Sequence, residues 1–390
     1  MKKILFIFGT RPEAIKVAPV IKKLSVEKKY FEVKVCITAQ HRYLLDQVLD
    51  LFSINSDYDL NIMEESQTLS DITTKTLIKL DNVLKKEKPD LVLVHGDTTT
   101  TLASTLASFY HKIPVGHIES GLRTYDKFNP YPEEMNRLLV DMMANLHFAP
   151  TLRAKKCLIK ENINPKNIFI TGNTVIDALN FVLKKKHIFS NYILKQLFNK
   201  KKLLNKYRII LLTAHRRENF GIPIKNICYA VNEIVKNYPD VLFIYPVHPN
   251  PNITQPVKKI LGNTERVYLT QPLDYFDLVN VMNKSYFILT DSGGLQEEAP
   301  SLGKPVLVLR RLTERPEGII AGTVRLAGVE KSNIVKLVSL LLTDKKEYNK
   351  MSKAINPYGD GKASERITES IKYYFGFTTK RPADFMSTKS

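Results

Sequence analysis

Apolar runs of three to five residues recur along the chain, and polar turns and segments with apolar residues at helical spacing separate them. The first is Ile4-Leu5-Phe6-Ile7-Phe8. Val33, Val35 and Ile37, then Leu91-Val92-Leu93-Val94, Val115-Gly116-His117-Ile118, Leu146-His147-Phe148-Ala149 and Ile168-Phe169-Ile170 follow. Strands that are apolar on both faces and alternate with helices predict a parallel sheet covered on both sides. The pattern pauses around residues 171–177. A Lys-rich amphipathic stretch, residues 184–206, is expected to bridge two domains, because strand signals resume at residues 209–212, 242–245, 267–269, 287–289 and 306–309. The predicted fold class is therefore α/β, with two Rossmann-like doubly wound domains facing a cleft. Residues 1–177 form the first, with a C-terminal helix at about 363–376 crossing back to it, and 178–362 form the second. The last dozen residues read as frayed.

Two strand-turn-helix units carry the chemistry. In Asp291-Ser292-Gly293-Gly294 the turn after an apolar strand loses its side-chain bulk, and a helix begins whose free N–H groups suit a diphosphate. Glu298, one turn into that helix, is placed to accept from ribose hydroxyls. The second unit is Gly9-Thr10-Arg11-Pro12-Glu13, with Pro where a helix can begin; Arg11 and Lys16 bring charges that suit phosphate. Other polar clusters sit where strands end, as ligand sites of open α/β sheets do: His95-Gly96-Asp97, His117-Ile118-Glu119, Thr213-Ala214-His215-Arg216, and the helix start Pro132-Glu133-Glu134 with Arg137 one turn on.

Three carboxylates in one cleft, Asp97, Glu119 and Glu133, make a proton-transfer set, since repulsion and desolvation can keep one protonated near neutral pH. A metal site from His95, Asp97, His117 and Glu119 is the rival use of the same residues. Their spacing is not that of a zinc or calcium site, and neither metal nor cofactor is expected. Asp57-Tyr58-Asp59 resembles the paired acids of metal-dependent sugar transferases but lies in a polar connection away from these clusters. No nucleophile elbow marks a serine triad.

Composition narrows the partners. A chain of 390 residues, 44% hydrophobic, can bury two ordinary domains. The formal charge of +19 would admit nucleic acid, yet the lysines are scattered, without a basic tail or aromatic-interleaved stripe, so no nucleic-acid role is expected. Three distant cysteines, Cys36, Cys157 and Cys228, argue against a disulfide framework and for the cytoplasm. The N-terminal apolar run is broken by Gly9, Arg11 and Glu13, too soon for a signal peptide or membrane span.

Taken with Gly172-Asn173-Thr174-Val175-Ile176-Asp177 and Thr313-Glu314-Arg315-Pro316-Glu317, these motifs closely resemble the non-hydrolysing UDP-N-acetylglucosamine 2-epimerases over nearly the whole chain. The resemblance implies the glycosyltransferase-B type of fold and a homodimer. It also implies reversible conversion of UDP-N-acetylglucosamine to UDP-N-acetylmannosamine, for bacterial surface polysaccharide. It assigns proton traffic to Asp97, Glu119 and Glu133, with His215 beside them, diphosphate binding to Arg11, Lys16, His215, Ser292, Gly293 and Gly294, and substrate binding to Arg315. Arg137 becomes a substrate contact and Glu298 a ribose contact. Bacterial relatives are activated by UDP-N-acetylglucosamine at a second site, which Gln40, His41, Glu134, Arg216 and His248 match.

Four departures stand out. Tyr43 replaces a Gln and Ser66 an Arg of the activating site, Leu278 stands where a Phe usually meets uracil, and Arg311-Leu312 replaces Asp-Thr. The rivals are a hydrolysing 2-epimerase, a glycosyltransferase, which needs an acceptor, and a non-catalytic nucleotide-sugar sensor, which should have lost cleft carboxylates.

Overall fold

The structure, a computed structural model, describes residues 1–39, 42–64, 66–199 and 206–386. The chain forms two compact units, Met1–Phe181 together with the stretch from Tyr358 onward, and Val182–Pro357.

In the first unit, seven parallel strands run in the order β3-β2-β1-β4-β5-β6-β7: β1 (Lys2–Phe8), β2 (Phe31–Ile37), β3 (Tyr58–Asp59), β4 (Leu91–His95), β5 (Val115–Ile118), β6 (Leu146–Ala149) and β7 (Ile168–Ile170). Residues 4–8 of β1 are fully buried, because helices cover both faces of a central parallel strand. The strand order reverses between β1 and β4. At such a switch point the loops leaving the two strands diverge and open a crevice at the strands' carboxyl ends. Gly9 leaves β1 there, where a Cβ would stand 2.0 Å from Thr38 Oγ1, so a side chain has no room.

The second unit repeats the plan with six parallel strands in the order β10-β9-β8-β11-β12-β13: β8 (Arg208–Thr213), β9 (Val241–Pro246), β10 (Val267–Thr270), β11 (Phe287–Thr290), β12 (Val306–Val308) and β13 (Val324–Leu326). Its switch point lies between β8 and β11, whose loops carry His215-Arg216 and Asp291-Ser292-Gly293-Gly294.

Four local points are changed or added. The described part of the Lys-rich stretch 184–206 mixes irregular and helical backbone. Tyr192–Asn199 is helical, with Leu194, Leu197 and Phe198 buried, while residues 187–191 form an irregular connection tied to Asp277 through His187, Ser190 and Asn191; residues 200–205 lie outside the described set. Tyr58-Asp59 is a short edge strand on β2, not part of a polar connection. The strand β13 carries too few apolar residues to announce itself.

The tail is the fourth change, because residues 381–385 are tied down and not frayed. Phe385 N–H donates to Ile170 O at 2.7 Å, Ile170 N–H donates to Asp384 Oδ1 at 2.9 Å, and Asp384 pairs with Lys155 at 2.7 Å. Arg381 lies 4.2 Å from the Phe169 ring centre and donates to Ile168 O. The tail covers β7, whose edge would otherwise offer unpaired backbone groups. Before it, helix Ala363–Tyr374 begins on Asp177, which accepts from Ala363 N–H, Ser364 N–H and Ser364 Oγ.

Candidate active site

The first unit gathers one set of functional groups at the carboxyl ends of β1, β4 and β5. Glu13 fastens the loop after β1. It accepts from Gly9 N–H at 3.0 Å and Thr10 N–H at 2.7 Å, and its other oxygen accepts from Thr98 and Thr101 Oγ1 at 2.7 and 3.0 Å. The Arg-Pro-Glu motif thus spends its carboxylate on structure, leaving Arg11 and Lys16 on the first turns of helix Arg11–Ser25.

Lys16 pairs with Glu119, whose same oxygen accepts from Asn173 Nδ2 at 2.8 Å and lies 3.6 Å from His95 Nε2. Glu119 adopts φ +69, a left-handed conformation that L residues with side chains rarely hold and that clusters at functional sites. Two residues on, Gly121 has φ +87, and a Cβ there would meet Ala154 O at 2.5 Å. The bend needs that glycine. Asp97, one residue beyond the positive-φ Gly96, pairs with Arg137 Nη2 at 3.0 Å, and its carbonyl accepts from Asn136 Nδ2 at 2.9 Å. Desolvation raises the Asp97 pKa above the usual carboxylate value, tempered by a side chain that stays 32% exposed; Arg137 and Lys16 oppose, and Glu119 pushes the same way. Such a group is suited to hold or accept a proton. His95 is 97% buried, with neither ring nitrogen hydrogen-bonded among the described residues.

Helix Glu133–Met143 carries Glu133, Arg137 and Asp141 at i, i+4 and i+8, on one face. Beneath the carboxylates, Asp141 accepts from His117 Nδ1 (2.6 Å), Ser120 Oγ (2.5 Å), Gly121 N–H (3.1 Å) and Arg123 Nη2 (2.8 Å). Burial opposes its ionisation, but His117, His147 and Arg123 outweigh that and hold its pKa well below the ordinary range. Glu134 accepts from Thr124 and Tyr125 N–H, at 3.0 and 2.8 Å, and fixes the loop before the helix.

The second unit holds a basic set on the loops after β8 and β11. Asp291 is fully buried and accepts from His215 N–H at 2.7 Å, Arg216 N–H at 2.8 Å and Asn219 Nδ2 at 2.9 Å, with His215 Nδ1 at 3.0 Å from its other oxygen. Burial opposes the charge, yet these donors lower its pKa. One carboxylate thus ties the two switch-point loops together. A Cβ on Gly293 would approach Arg216 Nη2 to 3.9 Å and Arg315 Nη2 to 4.0 Å, so two guanidiniums flank the glycine turn. Arg315 is steered by Glu297. Burial works against charge on Glu314, but Arg216, Arg310 and Arg315 prevail and lower its pKa. Glu298, buried one turn on, accepts from Tyr275 Oη at 2.8 Å. Tyr275 and Leu278 share helix Tyr275–Lys284. His248 stacks on His215 with ring centres 5.9 Å apart, and partial burial together with His215 lowers its pKa.

Asp97, Glu119, Glu133, Lys16, Arg11 and Arg137 therefore belong to the first unit. His215, Arg216, His248, Leu278, Ser292, Gly293, Gly294, Glu298 and Arg315 belong to the second. Ser66 is exposed, at φ +56. Gln40 and His41 lie outside the described residues, as does the side chain of Tyr43. Sequence reasoning missed Asp141 and Asn173 as Glu119's supports. The helical spacing of Asp141 from Glu133 was a usable signal; the Asn173 contact, across 54 residues, had none. Among the described residues, no group of three or more His, Cys, Asp or Glu is set to hold a metal ion, and no helix is long and apolar enough to cross a membrane.

Two doubly wound parallel sheets, one with carboxylates and one with guanidiniums at its switch point, define an α/β enzyme of the glycosyltransferase-B class of fold. The family model for UDP-N-acetylglucosamine 2-epimerases matches residues 23–372. A UDP-N-acetylglucosamine 2-epimerase of Bacillus subtilis is 54% identical over 385 residues, 98% of each chain. One of Escherichia coli K12 is 53% identical over 371 residues, 95% of this chain and 98% of its own. The S. aureus protein MnaA, solved with UDP, superposes with a TM-score of 0.89 at 49% identity, covering 99% of this chain and 100% of its own. The Neisseria meningitidis UDP-GlcNAc 2-epimerase bound to UDP-GlcNAc gives 0.84 at 51%, covering 95% and 99%. The chain belongs to the UDP-N-acetylglucosamine 2-epimerase family.

Proposed function

We propose that this chain interconverts UDP-N-acetylglucosamine and UDP-N-acetylmannosamine by eliminating and re-adding UDP, without releasing the free sugar, as a cytoplasmic homodimer that supplies surface polysaccharide synthesis. The observation that carries the chemistry is the contrast between two neighbouring carboxylates. Asp97 is held above the ordinary carboxylate pKa, while Glu119 has an ammonium and an amide donor on one oxygen, the partners of an ionised acid. Two neighbouring carboxylates in such different surroundings are suited to divide the acid and base roles.

Carbon 2 of the sugar has no adjacent carbonyl, so its proton becomes removable only as UDP departs and positive charge develops beside it. Arg11, Lys16, His215, Arg315 and the Ser292-Gly293-Gly294 turn take the growing charge on the diphosphate. Glu298 takes the ribose, and Leu278 packs by the uracil. A carboxylate among Asp97, Glu119 and Glu133 then removes the proton, giving a glycal, and UDP adds back after protonation from the other face. Arg137 orients the sugar. The dimer reading is supported by helices Thr99–Tyr110 and Glu133–Met143, which pack on each other and leave Phe109, Tyr110, Leu139 and Met142 at least 43% exposed.

A proton NMR time course on UDP-N-acetylglucosamine tests the reading. Anomeric signals of UDP-N-acetylmannosamine are expected to appear and reach equilibrium, unchanged by EDTA. Free N-acetylmannosamine plus UDP as the sole products would overturn it in favour of hydrolysis.

A further inference from the structure

We propose that Asp141 is a positioning residue that fixes Asp97 and Glu119 relative to each other through a doubly protonated His117, a role that rests on the epimerase reading above.

Hydrogen-bond accounting sets the protonation. His117 Nε2 lies 2.7 Å from Gly96 O, which can only accept, and Nδ1 lies 2.6 Å from Asp141 Oδ1, which as a carboxylate also only accepts. Both nitrogens must donate. The ring is fully buried, and so is the Asp141 carboxylate, so no water competes for either bond. The hydroxyl of Ser120 gives its proton to Asp141, so its oxygen is left to accept from His147 Nδ1, 3.2 Å away. The charged and titratable groups around Asp141 are His117 from β5, His147 from β6, and Arg123, which Glu161 also holds at 2.6 Å.

The consequence is mechanical. Through His117 the Asp141 carboxylate holds Gly96, the residue before Asp97, and through Ser120 Oγ and Gly121 N–H it holds the two residues after Glu119. The helix that supplies Asp141 supplies Arg137 to Asp97 as well. Both reacting carboxylates are therefore referred to one buried charge, and the left-handed backbone of Glu119 has a reason to persist.

Asp141→Asn tests this. Gly121 N–H and Arg123 can only donate, so the amide oxygen must face them and the NH2 must face His117, which then gives up its Nδ1 proton. In full-length protein labelled with 15N-histidine, the His117 signals, identified by their loss in His117→Gln, are expected to show two protonated nitrogens in the parent and one in Asp141→Asn. This readout does not depend on turnover. In the epimerase assay kcat is expected to fall about 10- to 100-fold, the scale of a small misplacement of reacting groups, with KM within about threefold. The primary isotope effect from deuterium at carbon 2 should rise as proton removal becomes slower. Ser120→Ala, which keeps the Asp141 charge and removes only the hydroxyl's bonds to Asp141 and His147, is expected to show a smaller loss of the same kind and serves if Asp141→Asn does not fold. A His117 ring carrying one proton in the parent overturns the proposal, as does a loss of turnover with an unchanged isotope effect. A parent without epimerase activity but with two protonated nitrogens would refute the functional reading and leave the buried network standing.

Discussion

Replacing Asp291 by asparagine and by alanine should separate what its charge does from what its shape does. The carboxylate has no solvent exposure. Its Oδ2 alone receives His215 N–H, Arg216 N–H and Asn219 Nδ2 at 2.7, 2.8 and 2.9 Å. An asparagine that sets its oxygen in the Oδ2 position still accepts from all three. A hydrogen bond to a charged group contributes roughly 1.5–3 kcal/mol net and one to a neutral group roughly 0.5–1.5, so the three together should lose about 2–3 kcal/mol once non-additivity among neighbours is allowed for. The asparagine NH2 then faces His215 Nδ1, 3.0 Å away, where the parent presents a carboxylate oxygen. Alanine removes the shared acceptor from all three donors; Asn219 Nδ2 keeps only Leu309 O, and about 3–5 kcal/mol is the upper scale of that damage. For a unit of this size, 1 kcal/mol is worth about 2–4 °C in Tm. Asn should therefore lower the transition of the Val182–Pro357 unit by about 4–12 °C, and Ala by more.

Acid dependence supplies a sign that geometry alone does not. Asp291 titrates below its ordinary value of 3.8, so the stability it contributes is complete above that pH and is lost as pH falls through its lowered value. The asparagine variant should lack that acid-sensitive component, and the gap from the parent should narrow below about pH 4. Thermal unfolding followed by circular dichroism from pH 3 to 7 reads both effects, and titration calorimetry with UDP reads the function. With His215 no longer held beside a carboxylate, UDP should bind about tenfold more weakly, the equivalent of one charged hydrogen bond. If both variants melt within 1 °C of the parent at pH 7, the clasp between the β8 and β11 loops is not what holds the basic set of the second unit. If Asn equals Ala, the acceptor geometry is irrelevant and only charge matters.

Asp97→Asn, Glu119→Gln and Glu133→Gln should each lower kcat by roughly two to four orders of magnitude in the NMR assay, the usual range for proton-transfer groups; all three within tenfold of the parent would remove the proposed roles. Deleting residues 379–390 should lower the Tm of the first unit by several degrees, because β7 loses the Phe385 and Asp384 backbone bonds and the Arg381 cover, and an unchanged Tm would show that the tail merely lies on the edge. Activation by UDP-N-acetylglucosamine should be about ten- to a hundredfold weaker than in relatives that carry Arg at the position of Ser66, since a hydroxyl cannot replace a guanidinium on phosphate; an absolute requirement for micromolar activator in turnover of pure UDP-N-acetylmannosamine would contradict this.

The parts of this molecule that were legible in its sequence are those governed by period and local turn chemistry. Residues 4–8 and 91–94 announce buried parallel strands because such strands are apolar on both faces, and Ser292-Gly293-Gly294 announces a helix start by what it lacks. The edges of the sheets obey a different rule and were missed. Tyr58-Asp59 and residues 324–326 are two- and three-residue strands whose membership is decided by a neighbour's free backbone, not by their own apolar content. The tail reads as frayed for the same reason, since its polar composition says nothing of the Ile170 backbone that pairs with it.

The site divides along the same line. A motif identifies which carboxylates are present, but whether a carboxylate does chemistry or structure depends on what fills its lone pairs. Glu13 and Glu134 both sit in motif positions as conspicuous as Glu119, yet the first spends its oxygens on two backbone N–H groups and two threonines and the second on the Thr124 and Tyr125 amides. Oxygens so occupied by backbone donors hold loops in place. Asp97, opposed by its surroundings and steadied by one guanidinium, is the group whose charge is most open to change when an anionic substrate arrives beside it. That difference is set by contacts spanning 40 to about 100 residues of chain, such as Arg137 to Asp97 and Lys16 to Glu119, which no local pattern encodes.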